Sequence, residues 1–556
     1  MDRSKLAVNL MRAASGLAVA AVLATATVAT TAASATDRPA AVTAPADAAA
    51  ELGRAADQVA RDVVDQRPTP AAELTPYLTQ RPAWRKCAVA DECAQIAVPL
   101  DYRRPRGPRI NIAVSRLRAK SPEQRLGVLL FNPGGPGAPG LDMPKQLAGM
   151  SKRLDSAYDR IGFDPRGAGR STPIRCLPDR ELTGAPAPDP LPRTPAQVQA
   201  YERYQRHYAD ACFTSSGRTL PYLTTENTAR DMDVVRAALG ERRINFLGYS
   251  YGTYLGAVYA TLFPSRVGRF VLDSAVNPDW VWRRQFMAQG PAFERRLADF
   301  FAWAAQRDRT YRLGTTAEQV RGFWAAVRAE AVRRPLAGDK RRIGPSEFDM
   351  ATSGGLYNRA TFPFLAKGLA EYRAKRVAVK LTKLLDPEDA ARDTFAGVFT
   401  AVTCNEAVWP RSLQVYRTQA KLQGDRYPFI GWSSAGVGPC AFWRSTPVRP
   451  VQVSGRGLPP VLVVQSRFDP ATPYPGGRRL AGLLGGRLLM AAGGDHGLTG
   501  FNVCVTEAVV RYLGAGELPA TGTTCPDRYP DERLAERSAD SGAAPVPFRP
   551  ALPPKW

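Results

Sequence analysis

Two hydrophobic rhythms alternate along this chain of 556 residues. Short apolar runs at 110–117, 126–131, 160–163, 244–247, 269–272, 460–464 and 487–490 predict strands. The run at 126–131 is continuous rather than alternating, as a strand buried on both faces of a parallel sheet requires. Apolar residues at helical spacing predict helices at 228–239, 251–262 and 503–512. Such alternation of strands and helices implies a mainly parallel sheet covered on both faces. The interval 279–450 breaks the rhythm. It is rich in Trp and Arg and has helical periodicity at 293–305, 317–332 and 372–385. It is expected to form a helical lid over the carboxyl edge of the sheet, dividing the core into 81–278 and 451–525.

The ends read differently. Arg3, Lys5 and Arg12 precede an Ala/Val/Leu run from Ala13 to Ala29, and Ala33-Ser34-Ala35 supplies a cleavage site. Residues 1–35 are therefore expected to be a signal peptide; a membrane anchor is the rival, disfavoured because the run is short and diluted by Thr and Gly. Residues 36–80 are rich in Ala, Pro and Thr, with a weakly helical piece at 51–64, and read as a pro-segment or linker. Residues 526–556 form a Pro-rich tail.

Composition adds constraints on chemistry. Eight cysteines in an exported chain point to disulfides. Their order suggests the pairs Cys87–Cys93, Cys176–Cys212, Cys404–Cys440 and Cys504–Cys525. The chain has only two histidines, His207 and His496, and no Cys-x-x-Cys, so a zinc site would lack its usual ligands. The formal charge of +24 comes from Arg and Lys spread among Asp and Glu, without a basic block or a nucleic-acid motif. No nucleic-acid partner is expected, and no membrane contact once the signal is removed.

The strongest chemical signal is Gly248-Tyr249-Ser250-Tyr251-Gly252, set between a predicted strand and a predicted helix. In that context the pentapeptide marks a nucleophile elbow, with Ser250 on the sharp turn; the bland alternative is an N-cap serine. A serine needs a base. His496, in the loop Gly493-Gly494-Asp495-His496-Gly497 after the last predicted strand, fits the order nucleophile, acid, histidine. His207 sits in a polar helical stretch and reads as a surface residue. Asp469, just after the strand at 460–464, is the expected acid; Asp273 is the runner-up, and Asp495 is expected to structure its loop. The segment Asn132-Pro133-Gly134-Gly135-Pro136-Gly137 follows a buried strand, and Gly134 or Gly135 is expected to join the Tyr251 N–H in an oxyanion hole. These parts define an α/β-hydrolase fold with a Ser-His-Asp triad, which needs no metal or organic cofactor.

Three segments carry a more specific likeness: Asn132 to Gly137, Gly162-Phe163-Asp164-Pro165-Arg166-Gly167-Ala168-Gly169-Arg170-Ser171, and Gly248 to Gly256. With Val98-Pro99-Leu100-Asp101-Tyr102 and the Asp469 and His496 segments, they resemble the secreted tripeptidyl aminopeptidases among the prolyl iminopeptidase-like α/β-hydrolases. The likeness runs from about residue 84 to 525. Pro133 stands where iminopeptidases proper carry His, and Asp495 precedes the base where many relatives have Gly. The resemblance implies a secreted serine exopeptidase that releases short peptides, tripeptides foremost, from free N-termini, and that is made with a pro-segment. An esterase or lipase using the same triad is the alternative, and a non-catalytic binding protein on a hydrolase scaffold the third reading. An exopeptidase must also recognise a substrate ammonium. Glu406, beside Cys404 in the lid, is the expected binder, with Asp349 second.

Overall fold

The computed structural model describes residues 71–178, 181, 186–339, 341–385 and 389–527. The expected signal peptide, residues 36–70 with the expected helix at 51–64, and the tail beyond 527 lie outside the described residues. Ala71–Leu78 is a helix within the stretch 36–80 assigned above to a pro-segment or linker. It belongs to the folded body, because Tyr77 is buried and its hydroxyl donates to the Pro105 carbonyl at 2.7 Å.

Ten strands form one sheet: β1 (Arg85–Lys86), β2 (Glu92–Pro99), β3 (Arg109–Leu117), β4 (Gly127–Asn132), β5 (Tyr158–Phe163), β6 (Ile244–Tyr249), β7 (Val267–Asp273), β8 (Leu462–Ser466), β9 (Arg487–Ala491) and β10 (Thr524–Cys525). Their spatial order is β1-β2-β3-β5-β4-β6-β7-β8-β9-β10. Pairing is antiparallel from β1 to β5 and parallel from β5 to β10. Every residue of β4, β6 and β8 is buried, in keeping with central strands that have helices on both faces. The helices Thr225–Ala238 and Tyr251–Leu262 pack against one face, and Val503–Ala515 against the other.

The lid occupies the interval between β7 and β8, which are nonetheless direct neighbours, with Val271 opposite Leu462. Its main helices are Arg283–Ala305, Ala317–Arg333, Pro345–Leu356, Phe362–Lys375, Asp389–Asn405 and Leu413–Arg426. The first four share a core around Phe300, Trp324, Phe348 and Leu365. The helix expected at 372–385 is divided instead: Phe362–Lys375 ends at Arg376 in the left-handed conformation, and a short helix Val379–Thr382 follows. The disulfides are Cys87–Cys93, Cys176–Cys212, Cys404–Cys440 and Cys504–Cys525. Among the described residues, no helix is long and apolar enough to cross a membrane.

Candidate active site

Ser250 lies between the end of β6 and the first residue of the helix Tyr251–Leu262, with φ 55° and ψ −125°. A non-glycine residue held there stores strain of about 1–3 kcal/mol, which the surrounding packing must offset. The flanking glycines explain how the turn fits. A Cβ on Gly248 would come within 2.6 Å of the Gly252 carbonyl oxygen, and one on Gly252 within 2.8 Å of the Asn132 carbonyl oxygen. The Ser250 N–H donates to the Asp273 carbonyl at 2.9 Å, fixing the turn to β7.

His496 is buried, and its Nδ1 lies 3.0 Å from both Asp469 oxygens. A carboxylate can only accept, so Nδ1 carries the proton and Nε2 is left as the acceptor. Nε2 is buried without a hydrogen-bond partner among the described residues, so its lone pair is not engaged within them. Asp469 is itself fixed. It accepts the N–H groups of Ala471 at 2.9 Å and Thr472 at 2.8 Å, and the Thr472 hydroxyl at 2.9 Å. The Tyr357 ring stands edge-on to the imidazole, with centroids 5.0 Å apart. Thr472 and Tyr357 are contributors that the sequence did not reveal.

Asp273, the alternative acid, points elsewhere. Its carboxylate accepts from Leu498 N, Thr499 N, the Thr499 hydroxyl and the Ser274 hydroxyl, and so anchors the loop that follows the histidine. Burial nonetheless pushes its pKa up. Asp495 structures its loop, accepting from Arg359 N at 2.8 Å and from the Arg296 guanidinium. His207 is exposed and pairs with Glu181 at 2.8 Å, far from this chemistry in role.

On the oxyanion side the two glycines separate. Gly134 donates its N–H to Asn132 Oδ1 at 3.0 Å and is engaged within its own loop, whereas Gly135 lines the cavity that also exposes Ser250 and Tyr251. Tyr251 is the first residue of its helix, so its N–H has no acceptor within that helix. The segment Gly162–Ser171 is scaffolding. Arg166 forms a buried bidentate pair with Asp231 at 2.7 and 2.6 Å, and Asp164 accepts the N–H groups of Gly140, Leu141 and Arg170.

The cavity opens between sheet and lid and is strongly aromatic, with Trp282, Phe286, Phe293 and Trp409 in its wall. Glu406 is not part of that wall, which corrects its expected role as ammonium binder. Its carboxylate is engaged instead by the backbone N–H of Thr225, the Thr225 hydroxyl at 2.9 Å and Trp282 Nε1 at 3.2 Å, all of which it accepts. Burial pushes its pKa up to about 7. Asp349 does line the cavity. It is gripped by Arg328 through bonds of 2.8 and 2.7 Å, and Arg328 also donates to Asp189 at 2.8 Å. Burial, reinforced by Asp189 and Glu347, pushes the Asp349 carboxyl up to about 6 despite Arg328. Gln285 also lines the cavity. Its Nε2 donates to the Ala471 carbonyl at 3.1 Å, and its buried Oε1 is an acceptor without a hydrogen-bond partner among the described residues.

The fold, the turn that carries Ser250 after β6 and the buried His496–Asp469 pair are those of a serine hydrolase of the α/β-hydrolase class. Comparison with known proteins gives the same class and narrows it. Residues 127–368 match the family described as alpha/beta hydrolase fold, and residues 428–525 the family described as TAP-like protein. The chain is 41% identical to the tripeptidyl aminopeptidase of Streptomyces lividans over 80% of its own length and 86% of the relative's. It is 34% identical to carboxylesterase B of Mycobacterium tuberculosis, over 82% and 92% of the two chains. It is 29% identical to the serine protease Hip1 of the same organism, over 81% and 92%. The chain belongs to the tripeptidyl aminopeptidase family of α/β-hydrolases.

Proposed function

We propose that this serine hydrolase is a secreted exopeptidase that removes short peptides, tripeptides foremost, from free N-termini. Ser250 attacks the scissile carbonyl while His496 Nε2 takes its proton. Asp469 holds the imidazole tautomer and stabilises the cation that forms. The N–H groups of Tyr251 and Gly135 receive the developing oxyanion. His496 then returns the proton to the leaving amine, and water repeats the sequence to release the acyl group. The basic and apolar N-terminus and the four disulfides support export to an oxidising compartment.

The observation that carries the peptide reading is the pair of lid acceptors in the cavity wall, Asp349 and Gln285 Oε1. An ester of a simple acid brings no N–H to either, whereas a peptide brings an ammonium and backbone amides. Asp349 takes over the role expected of Glu406: Asp189 and Asp349 share the guanidinium of Arg328, and the negative charges of Asp189 and Glu347 act on Asp349, so this part of the wall favours a cation.

Acetylating the substrate's N-terminus is expected to lower kcat/KM by about 10- to 100-fold, the value of one charge-assisted hydrogen bond. Asp349→Asn is expected to do the same for free-amine peptides and to leave a short-chain ester unaffected. The sign of the pH effect follows from the raised carboxyl. As pH falls through about 6, Asp349 takes up a proton and the peptide-to-ester ratio of kcat/KM drops; in Asp349→Asn that ratio is flat. Equal cleavage of blocked and unblocked peptides would refute the exopeptidase reading.

A further inference from the structure

We propose that the lid sets the catalytic base, with Arg296 as a positioning residue that acts on His496 through Asp495. The inference rests on the assignment of His496 as base and extends it to a residue of the lid.

The base loop is held from two sides. From the core, Asp273 accepts Leu498 N and Thr499 N, and the Ser274 hydroxyl accepts Gly497 N at 2.7 Å. From the lid, the N–H of His496 itself donates to the Tyr357 carbonyl at 2.7 Å. Asn358 Nδ2 reaches the Gly497 carbonyl at 3.4 Å. Asp495 Oδ1 receives both the Arg359 N–H and the Arg296 guanidinium. Arg296 comes from the middle of the lid helix Arg283–Ala305, and its Nε donates to the Leu356 carbonyl at 3.1 Å. It therefore ties the residue before the base to the residue before Tyr357, with its guanidinium 4.6 Å from the Phe362 ring centre.

The contact is tight and dry. Arg296 is 4% exposed and Asp495 0%. A Cβ on Gly494 would lie 2.9 Å from Arg296 Nη1, so the loop backbone runs directly against the guanidinium. Charges buried this far from water depend on their partners, and removing one partner weakens the hold on the other. Placement of a general base matters at the scale of tenths of an ångström to one ångström. A lid that shifts relative to the sheet takes Tyr357, Arg359 and Arg296 with it and releases the lid-side anchors of His496.

The test is kinetic and uses the full-length enzyme. Arg296→Met keeps the apolar stem and removes every donor. It is expected to lower kcat by about 10- to 100-fold on both a free tripeptidyl amide and a short-chain ester, with KM for the ester unchanged within about twofold. Arg296→Lys, which keeps the charge but loses the fork, is expected to recover part of that loss. Asp495→Ala should match Arg296→Met, and the double variant should be no slower than the worse single one, as expected for two residues acting through one contact. If Arg296 merely shapes the lid, the peptide KM rises while kcat on the ester stays at wild type, and the proposal is overturned. Asp495→Ala leaves the lid sequence intact and decides the question on the same readout should Arg296→Met not fold. His496→Ala keeps the two questions apart. If it is inactive while Arg296→Met and Asp495→Ala both cleave the ester normally, only the positioning role falls; if it is active, the base assignment falls with it.

Discussion

Ser250→Ala and His496→Ala are each expected to lower kcat/KM by about four to six orders of magnitude, and the double variant by scarcely more than either single one. The reason is mechanical. Without the serine there is no acyl acceptor, and without Nε2 the hydroxyl has no base, so either loss already removes the whole proton-coupled attack. What remains comes from substrate binding and the oxyanion donors, which both variants keep. Hydrolysis of a tripeptidyl amide, measured beside thermal unfolding to show that folding is intact, checks the prediction. A His496→Ala enzyme that retained a tenth of the wild-type rate would refute the base assignment.

The second large effect separates two buried carboxylates. Asp469→Asn is expected to cost about 10,000-fold in kcat, because an amide placed at Nδ1 can donate to it and so drive the proton to Nε2, where a base is needed. Asp273→Asn has a different consequence. The Asp273 oxygens take donors from Ser274, Leu498 and Thr499, and an amide nitrogen among those donors leaves buried N–H groups unpaired. Each such loss costs about 1–3 kcal/mol of stability. Asp273→Asn should therefore unfold at a lower temperature yet keep far more of its kcat than Asp469→Asn. If the two variants exchange these behaviours, the acid has been misassigned.

Much of the core was legible because its signals are local. The continuous apolar run that became β4, the strand before Ser250 and the helix after it each declare themselves within a dozen residues. Triad candidates could be ordered along the chain because histidine is so scarce. What stayed hidden depends on contacts between distant segments. Glu406 looked suitable beside a disulfide, but nothing in its neighbourhood shows that Thr225 and Trp282, 181 and 124 residues away, claim its carboxylate. Arg296 is one of 75 basic residues, and its partner Asp495 lies 199 positions further on. Thr472 differs from other loop threonines only through a hydroxyl that meets Asp469 once the loop has turned. The break at Arg376 within the helix expected at 372–385 carries no Gly or Pro to announce it.

The adjacency of β7 and β8 across the whole lid has a consequence for how the protein is made. The elbow and its supporting strand are complete by Asp273, whereas Asp469 and His496 arrive only after the lid has been synthesised. Joining strands so far apart adds little equilibrium cost, since each doubling of a loop adds only about 0.6 kcal/mol, but contacts between remote segments form slowly. The lid helices can settle first around Phe300, Trp324 and Leu365, which belong to a cluster of their own. Until β8 docks beside β7, a growing chain carries a strained serine with no base to activate it. With Ser250, Asp469 and His496 in the proposed roles, chain order delays hydrolytic competence until residue 496 has been translated, and a product truncated before that residue is expected to be inert.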